Sequence, residues 1–361
     1  MPGPPCALDF SKGCVLKLSV LDLVPVRSRQ SSADALAASI DLAKAADALG
    51  YTRYWVAEHH NMPSVASTNP AVIIGILAAH TDNIRVGSGG VMLPNHAPLV
   101  VAEQFALLEA SAPGRVDLGL GRAPGSDPVV TAVLNRSGAT SDVNQFPNYV
   151  SDIITLLTPD GATVRLTSGT EYQLLATPAA TSTPDVWLLG SSDYSATLAA
   201  SLGLPYVFAH HFAGHGAERA LEIYRGQFQP SEFLSAPRTF VTANVVAAPT
   251  ASEALALALP NLQHMARLRT NEKLGRLATV EEAANTTMTP MQDEFIAGSL
   301  GSWIIDEPVA AAERVRELAR RFDVDEVMVS PGASAYEAEN LNETPGRVQT
   351  LQLLAEQLLP R

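Results

Sequence analysis

Cysteine is nearly absent from this chain: Cys6 and Cys14 are the only two in 361 residues, without metal-ligand spacing and unable to staple a domain of this size. A reducing cytoplasm is therefore the expected compartment. Basic residues are scarce as well, 24 Lys and Arg against 37 Asp and Glu, and the formal charge is −13. With no basic run to attract phosphates, neither nucleic acid nor an anionic membrane is an expected partner. No apolar stretch reaches the roughly 18 residues of a membrane span. The opening Met1-Pro2-Gly3-Pro4-Pro5 lacks the basic and long apolar regions of an export signal. Also missing are a G-x-G-x-x-G after a strand, which would cradle a dinucleotide, a G-x-S-x-G nucleophile elbow, and the H-E-x-x-H helix or His-x-His strand end of a metal site, so no metal is expected.

What remains is a chain that is 47% hydrophobic, enough for a large core. Past a lead expected to be flexible over 1–14, strand-like and helix-like runs alternate. Strands are expected at 15–21, 52–57, 84–92, 115–120, 185–189, 204–208, 239–246 and 325–329. Helices are expected at 34–49, 70–80, 98–110, 149–157, 194–202, 217–228, 252–268, 309–321 and 348–359. A variable stretch at 158–184 and a polar insertion at about 270–305, read as a mobile cap, interrupt the rhythm. The strands are almost continuously apolar, as strands covered on both faces are. Eight such units with no dividing linker imply a (β/α)8 TIM barrel, a single α/β domain over 15–361 with an insertion between strands seven and eight.

Chemistry-bearing residues cluster just past expected strand ends. Glu58-His59-His60, Asn95-His96 and His210-His211 place five of the eight histidines there. In a barrel all such ends share one face, so these residues converge. Glu58, His59 and His60 are types that move protons near neutral pH, and adjacent residues diverge, so at most two of the three can reach one reactant. Leu118-Gly119-Leu120-Gly121-Arg122 ends the fourth strand with a fixed cation, and Gly190-Ser191-Ser192 ends the fifth before a helix, where free N–H groups and hydroxyls suit an anion. Together they read as a phosphate cradle. Gly87, Gly89 and Gly90 within the third strand mark a bulge or the close approach of a flat ligand. A metal-dependent barrel hydrolase using His59, His60, His96, His210 and His211 stays open on the residues alone.

Five segments taken together resemble the bacterial luciferase-like, flavin-dependent monooxygenases. They are Leu18-Ser19-Val20-Leu21-Asp22; Trp55-Val56-Ala57-Glu58-His59-His60-Asn61-Met62-Pro63; the run from Arg85 to His96; Pro113-Gly114-Arg115 through Arg122; and Leu189-Gly190-Ser191-Ser192. The resemblance runs from Leu18 to about Val246 and more weakly over 308–358. It implies a barrel, commonly homodimeric, that takes reduced FMN from a separate NAD(P)H:flavin reductase as a two-component system. The flavin forms a C4a-hydroperoxide with O2 and oxygenates an organic small molecule by hydroxylation, epoxidation or Baeyer–Villiger chemistry. By resemblance His59, with Glu58 and His60, is catalytic. Ala57 and Glu58 line the isoalloxazine, and Gly89 and Gly90, joined by a cis peptide, lie behind it. Glu103 and Arg136 are flavin neighbours, Arg122, Gly190, Ser191 and Ser192 hold the phosphate, and Asn95, His96, His210 and His211 border the substrate pocket. Gly121 stands where light-emitting luciferases carry a reactive cysteine and His210 where they carry a tryptophan, which argues against light emission. A polyketide-type substrate of secondary metabolism is the expectation, and a flavin-binding barrel without catalysis is the alternative.

Overall fold

The computed structural model describes residues 15–136, 142–213 and 215–360. Cys6, Cys14 and the expected lead 1–14 lie outside them. The strands among the described residues are β1 (Lys17–Asp22), β2 (Arg53–Val56), β3 (Arg85–Ser88), β4 (Val91–Met92), β5 (Val116–Gly121), β6 (Ala162–Arg165), β7 (Glu171–Leu174), β8 (Asp185–Gly190), β9 (Tyr206–Phe208), β10 (Thr239–Ala247), β11 (Ile304–Asp306) and β12 (Glu326–Pro331). The helices are α1 (Ser32–Ala48), α2 (Pro70–Ala78), α3 (Pro98–Ser111), α4 (Pro128–Asn135), α5 (Phe146–Leu157), α6 (Asp193–Leu202), α7 (His210–Ala213), α8 (Ala217–Gln227), α9 (Ala251–Arg269), α10 (Val280–Ala284), α11 (Pro290–Ser302), α12 (Pro308–Phe322) and α13 (Pro345–Leu358). Eight strands pair in parallel in the order β10-β12-β1-β2-β3-β5-β8-β9, and β9 pairs back onto β10, so the sheet closes into the (β/α)8 barrel that the unit count implies.

Local chemistry sets the elements. Ser31 caps α1 in a reciprocal box with Asp34, and the helix lays Ala35, Ala38, Leu42, Ala43 and Ala46 on the barrel, small side chains that bring its axis close. Gly50 then turns the chain into β2 at φ 81, a region that favours glycine. The third strand, expected as one run, is broken after Ser88 by the Gly89–Gly90 peptide, which is cis, and resumes as β4 against β5.

Two segments differ from expectation. The variable stretch holds an antiparallel hairpin, β6 on β7, whose largely exposed side chains carry no apolar alternation that could announce it. The insertion is folded: Thr279 and Thr289 each close a capping box on α10 and α11, both helices pack against α9, and β11 pairs with the end of β10.

The barrel interior is filled in layers because alternate strand residues point inward. Lowest is an ionic layer. Arg53 donates to Glu326 through Nε (2.6 Å) and Nη2 (3.0 Å) and to Asp117 through Nη1 (2.8 Å). Ser19 donates to Glu326 and Trp55 Nε1 to Asp117. Above it Trp55, Trp187 and Phe240 form a triangle with centroids 5.1–5.6 Å apart, and the Arg53 guanidinium lies 4.9–5.7 Å from all three rings. Gly87 lets this layer close, since a Cβ there would come within 2.6 Å of Asp117 Cβ and 2.7 Å of Trp55 Nε1. Beyond the aromatic layer, toward the carboxyl ends of the strands, the barrel opens.

Candidate active site

A cavity of about 1070 Å³ occupies that end, floored by Leu21, Trp55 and Met328 and walled by the strand-end loops and α9. The chain enters it from β2 along a segment pinned by backbone hydrogen bonds: Ala57 N–H to Asp22 O, His59 N–H to Ser67 O, and His60 N–H to Gly125 O, at 3.0–3.1 Å. Neighbouring side chains on an extended segment point opposite ways. Ala57 and His59 line the cavity, whereas Glu58 and His60 turn behind its wall.

Glu58 is fully buried and accepts from the Met92 N–H (2.8 Å), His60 Nε2 (2.8 Å), His96 Nε2 (2.9 Å) and Asn95 Nδ2 (3.3 Å). Burial alone would raise its pKa, but the bonds from His60 and His96, the charge of His96 and the Met92 N–H together hold it at about 2. Glu58, His60, Asn95 and His96 thus form one cluster that ties the loop after β2 to the loop after β4.

A carboxylate whose folded pKa lies below its ordinary 4.5 stabilises the fold above that value and loses the contribution as pH falls toward about 2. In denaturant titrations across this window, wild type should lose on the order of 2–3 kcal/mol that the Glu58→Gln variant does not, discounting for the solvent that reaches the cluster. Parallel pH profiles for the two proteins would refute this.

His59 is half-buried, and its Nδ1 is buried with no hydrogen-bond partner among the described residues. Burial holds its pKa below the usual histidine value, the nearby His60 adds to this, and Glu58 opposes it. His211 also lines the cavity, with Nδ1 2.6 Å from Thr242 Oγ1; burial and the repulsion of His59 and His210 lower it to about 4.

The anion cradle comes from two neighbouring strands. Arg122, just past β5, stacks over the Tyr194 ring at 4.2 Å and has no ion pair among the described residues. Gly190 closes β8 where a Cβ would lie 2.2 Å from Ser195 Oγ, so its absence lets the first turn of α6 tuck against the strand end. Ser192 is the N-cap of α6 yet makes no side-chain cap bond, so its hydroxyl and that of Ser191 stay exposed beside the free N–H groups of the helix. Asp193, in the first turn of α6, is paired with Arg219 at 2.7 Å.

These groups fit a flavin mononucleotide. Ala57, Gly89 and Gly90 form a side-chain-poor wall, the His59 imidazole lines the same cavity, and a cation with two hydroxyls offers a phosphate site. A Cβ on Gly89 would meet Leu21 Cδ1 at 2.7 Å and one on Gly90 would meet Gly119 O at 2.7 Å, so larger residues would displace the wall itself.

Other expected residues stand elsewhere. Glu103 lies on α3 outside the cavity lining, accepting from Thr177 Oγ1 at 3.2 Å, and Arg136 is exposed at the end of α4. His210 is not a pocket residue: its ring packs edge-on against Phe322 at 5.2 Å, because α7 turns it toward α12. Asn95 and His96 serve the Glu58 cluster. The five histidines that a metal hydrolase would gather are therefore divided among three places.

Sequence reasoning missed His264 on α9. Its Nε2 lies 3.0 Å from Ser64 Oγ, and burial, with the charge of Arg267, lowers its pKa to about 4. The signal was present: Asn261, His264, Met265 and Leu268 recur at helical spacing and share the face that lines the cavity.

Comparison with known proteins bears on the family and the fold. A family model described as luciferase-like monooxygenase matches residues 16–325. A luciferase-like monooxygenase of Escherichia coli K12 is 39% identical over 317 residues, 87% of this chain and 91% of that protein. The crystal structure of apo-MsnO8 superposes with a TM-score of 0.80 at 30% identity, covering 96% of this chain and 100% of that one. The oxygenating constituent of 3,6-diketocamphane monooxygenase from Pseudomonas putida, solved in complex with FMN, gives a TM-score of 0.65 over 96% of this chain and 99% of that one; at 17% identity this likeness speaks for the fold alone. No helix among the described residues is long and apolar enough to cross a membrane.

Proposed function

The chain belongs to the luciferase-like monooxygenase family, and from that premise we propose that it is an FMNH2-dependent, O2-using monooxygenase acting on an organic substrate of polyketide type. The observation that carries the cofactor is the pairing of Arg122, which has no ion pair among the described residues, with the uncapped Ser191-Ser192 helix start in the wall of the same cavity as His59. When bound, reduced FMN supplies the electrons that activate O2, so that one oxygen atom reaches the substrate and the other leaves as water. The chain's own part is to hold the phosphate with Arg122, Ser191 and Ser192 and to support the ring on Ala57, Gly89 and Gly90. It also presents the His59 imidazole to the reacting edge and keeps water out with α9, the loop from Asn271 to Leu277 and Trp303. The absence of a dinucleotide fingerprint supports a separate NAD(P)H:flavin reductase as electron source, and the homodimer implied by the resemblance and the cytoplasmic location expected from the scarcity of cysteine complete the proposal.

Replacing Arg122 with alanine should weaken FMN binding by about 1.5–3 kcal/mol, the range of a hydrogen bond to a charged group, while leaving riboflavin affinity unchanged. Fluorescence titration of both ligands against both proteins measures this. Equal weakening for FMN and riboflavin would make Arg122 a structural residue and remove the phosphate site from the proposal.

A further inference from the structure

The charged groups in the cavity wall divide unequally. Although the chain carries 37 Asp and Glu, none of them lines the cavity among the described residues, and no lysine does. Three arginines do, and two are engaged. Arg269 donates to Phe212 O at 2.9 Å and stacks on the Phe212 ring at 4.4 Å, while Arg347 is paired with the buried Asp22 at 2.6 Å and donates to Pro331 O. Arg122 belongs to the phosphate cradle, and Arg269, exposed at the end of α9, has no ion pair among the described residues. Away from that cradle the lining is apolar, with Phe212, Met265, Leu268 and Leu274, and is broken by neutral hydrogen-bonding groups. Among these, His264 uses Nε2 on Ser64 and His211 uses Nδ1 on Thr242, so each ring is held in place with its second nitrogen unengaged among the described residues.

We propose that the wall made by α9, the loop after β2 and the start of α7 is the substrate subsite, and that it takes an uncharged apolar molecule bearing a phenol or ketone, which His264 and His211 hydrogen-bond. The assignment deepens the monooxygenase reading and rests on it, in that the flavin is taken to occupy the Ala57–Gly89–Gly90 wall. An anionic substrate would find only the solvent-exposed Arg269, already held on Phe212, and a cationic one no carboxylate, so either would lose its hydration with little compensation. The burial that keeps both imidazoles unprotonated at neutral pH lets each act as donor or acceptor according to tautomer, which suits a phenol and a ketone alike.

Calorimetric titration of the flavin-free protein with naphthol, tetralone, naphthalene, naphthoate and naphthylmethylammonium tests this. Naphthol and tetralone should bind at least about tenfold more tightly than the anion and the cation. The His264→Phe variant should weaken naphthol about three- to tenfold and leave naphthalene unchanged, with partial recovery in His264→Asn. Naphthoate binding as tightly as tetralone, failure of naphthol and tetralone to bind, an unchanged naphthol affinity in His264→Phe, or equal weakening of naphthol and naphthalene would each overturn the assignment. FMN titrated in parallel separates the two readings. Loss of flavin binding with the naphthol pattern intact removes the cofactor and leaves the subsite, and the converse leaves the cofactor and removes the subsite.

Discussion

Replacing Arg53 with methionine is expected to destabilise the fold by about 3–5 kcal/mol, the range for removing one partner of a buried ion pair. The side chain is 2% exposed and has two carboxylates on it, Asp117 and Glu326, themselves buried at the base of the barrel. Asp117 would keep Arg85 at 2.5 Å and the Trp55 indole, but among the described residues Glu326 would keep only the Ser19 hydroxyl as a side-chain partner. The uncompensated charge is therefore Glu326, and the double variant Arg53→Met, Glu326→Gln should recover more than half of the loss. Methionine fills much of the arginine volume between the three aromatic rings, so the comparison isolates charge from packing. Denaturant midpoints with an unchanged slope give the values. A single variant within about 1 kcal/mol of wild type would mean that the carboxylates find water or protons on their own, and the ionic layer would then have no part in stability.

That layer was not legible in the sequence, and the reason is physical. Arg53, Asp117 and Glu326 sit on three strands far apart in the chain, and only closure of the barrel brings them together. Order along the chain was readable because each strand, buried on both faces, is a short apolar run and each helix repeats at 3.6 residues. The same logic placed His59, Arg122 and Ser191-Ser192, which follow strand ends directly. It failed for His210, because a residue after a strand end can turn outward as readily as inward, and the short helix α7 turned it onto Phe322. It also failed for His264, because site residues were sought just past strand ends, whereas α9, packed against the folded insertion, leans its Asn261–Leu268 face over the cavity. The Glu58 cluster was half visible: divergence of adjacent residues implied that Glu58 or His60 would leave the reacting face, but not that His96 and Asn95 would meet them behind it.

Replacing His59 with alanine is expected to lower oxygenated product about 10²- to 10⁴-fold, the range for losing a positioned acid–base group, while FMN affinity stays near the wild-type value. His59 lines the cavity without belonging to the phosphate cradle, so binding and chemistry should separate. Its Nδ1 is buried without a partner among the described residues, so the ring meets the cavity with its other atoms. The imidazole is held neutral at pH 7 by its burial, so it can accept a proton at the reacting edge and return it. Because its pKa lies below the usual histidine value, wild-type activity should fall only under acid conditions below that value, and the alanine variant should lack this limb. The measurement is product formed per reduced flavin consumed, with reduced FMN supplied directly, across a pH series. In the variant, flavin should still be oxidised by O2 but yield hydrogen peroxide in place of product. A wild-type product ratio in His59→Ala would remove the residue from the chemistry and leave the cavity's two other neutral imidazoles, His211 and His264, as the groups to replace next.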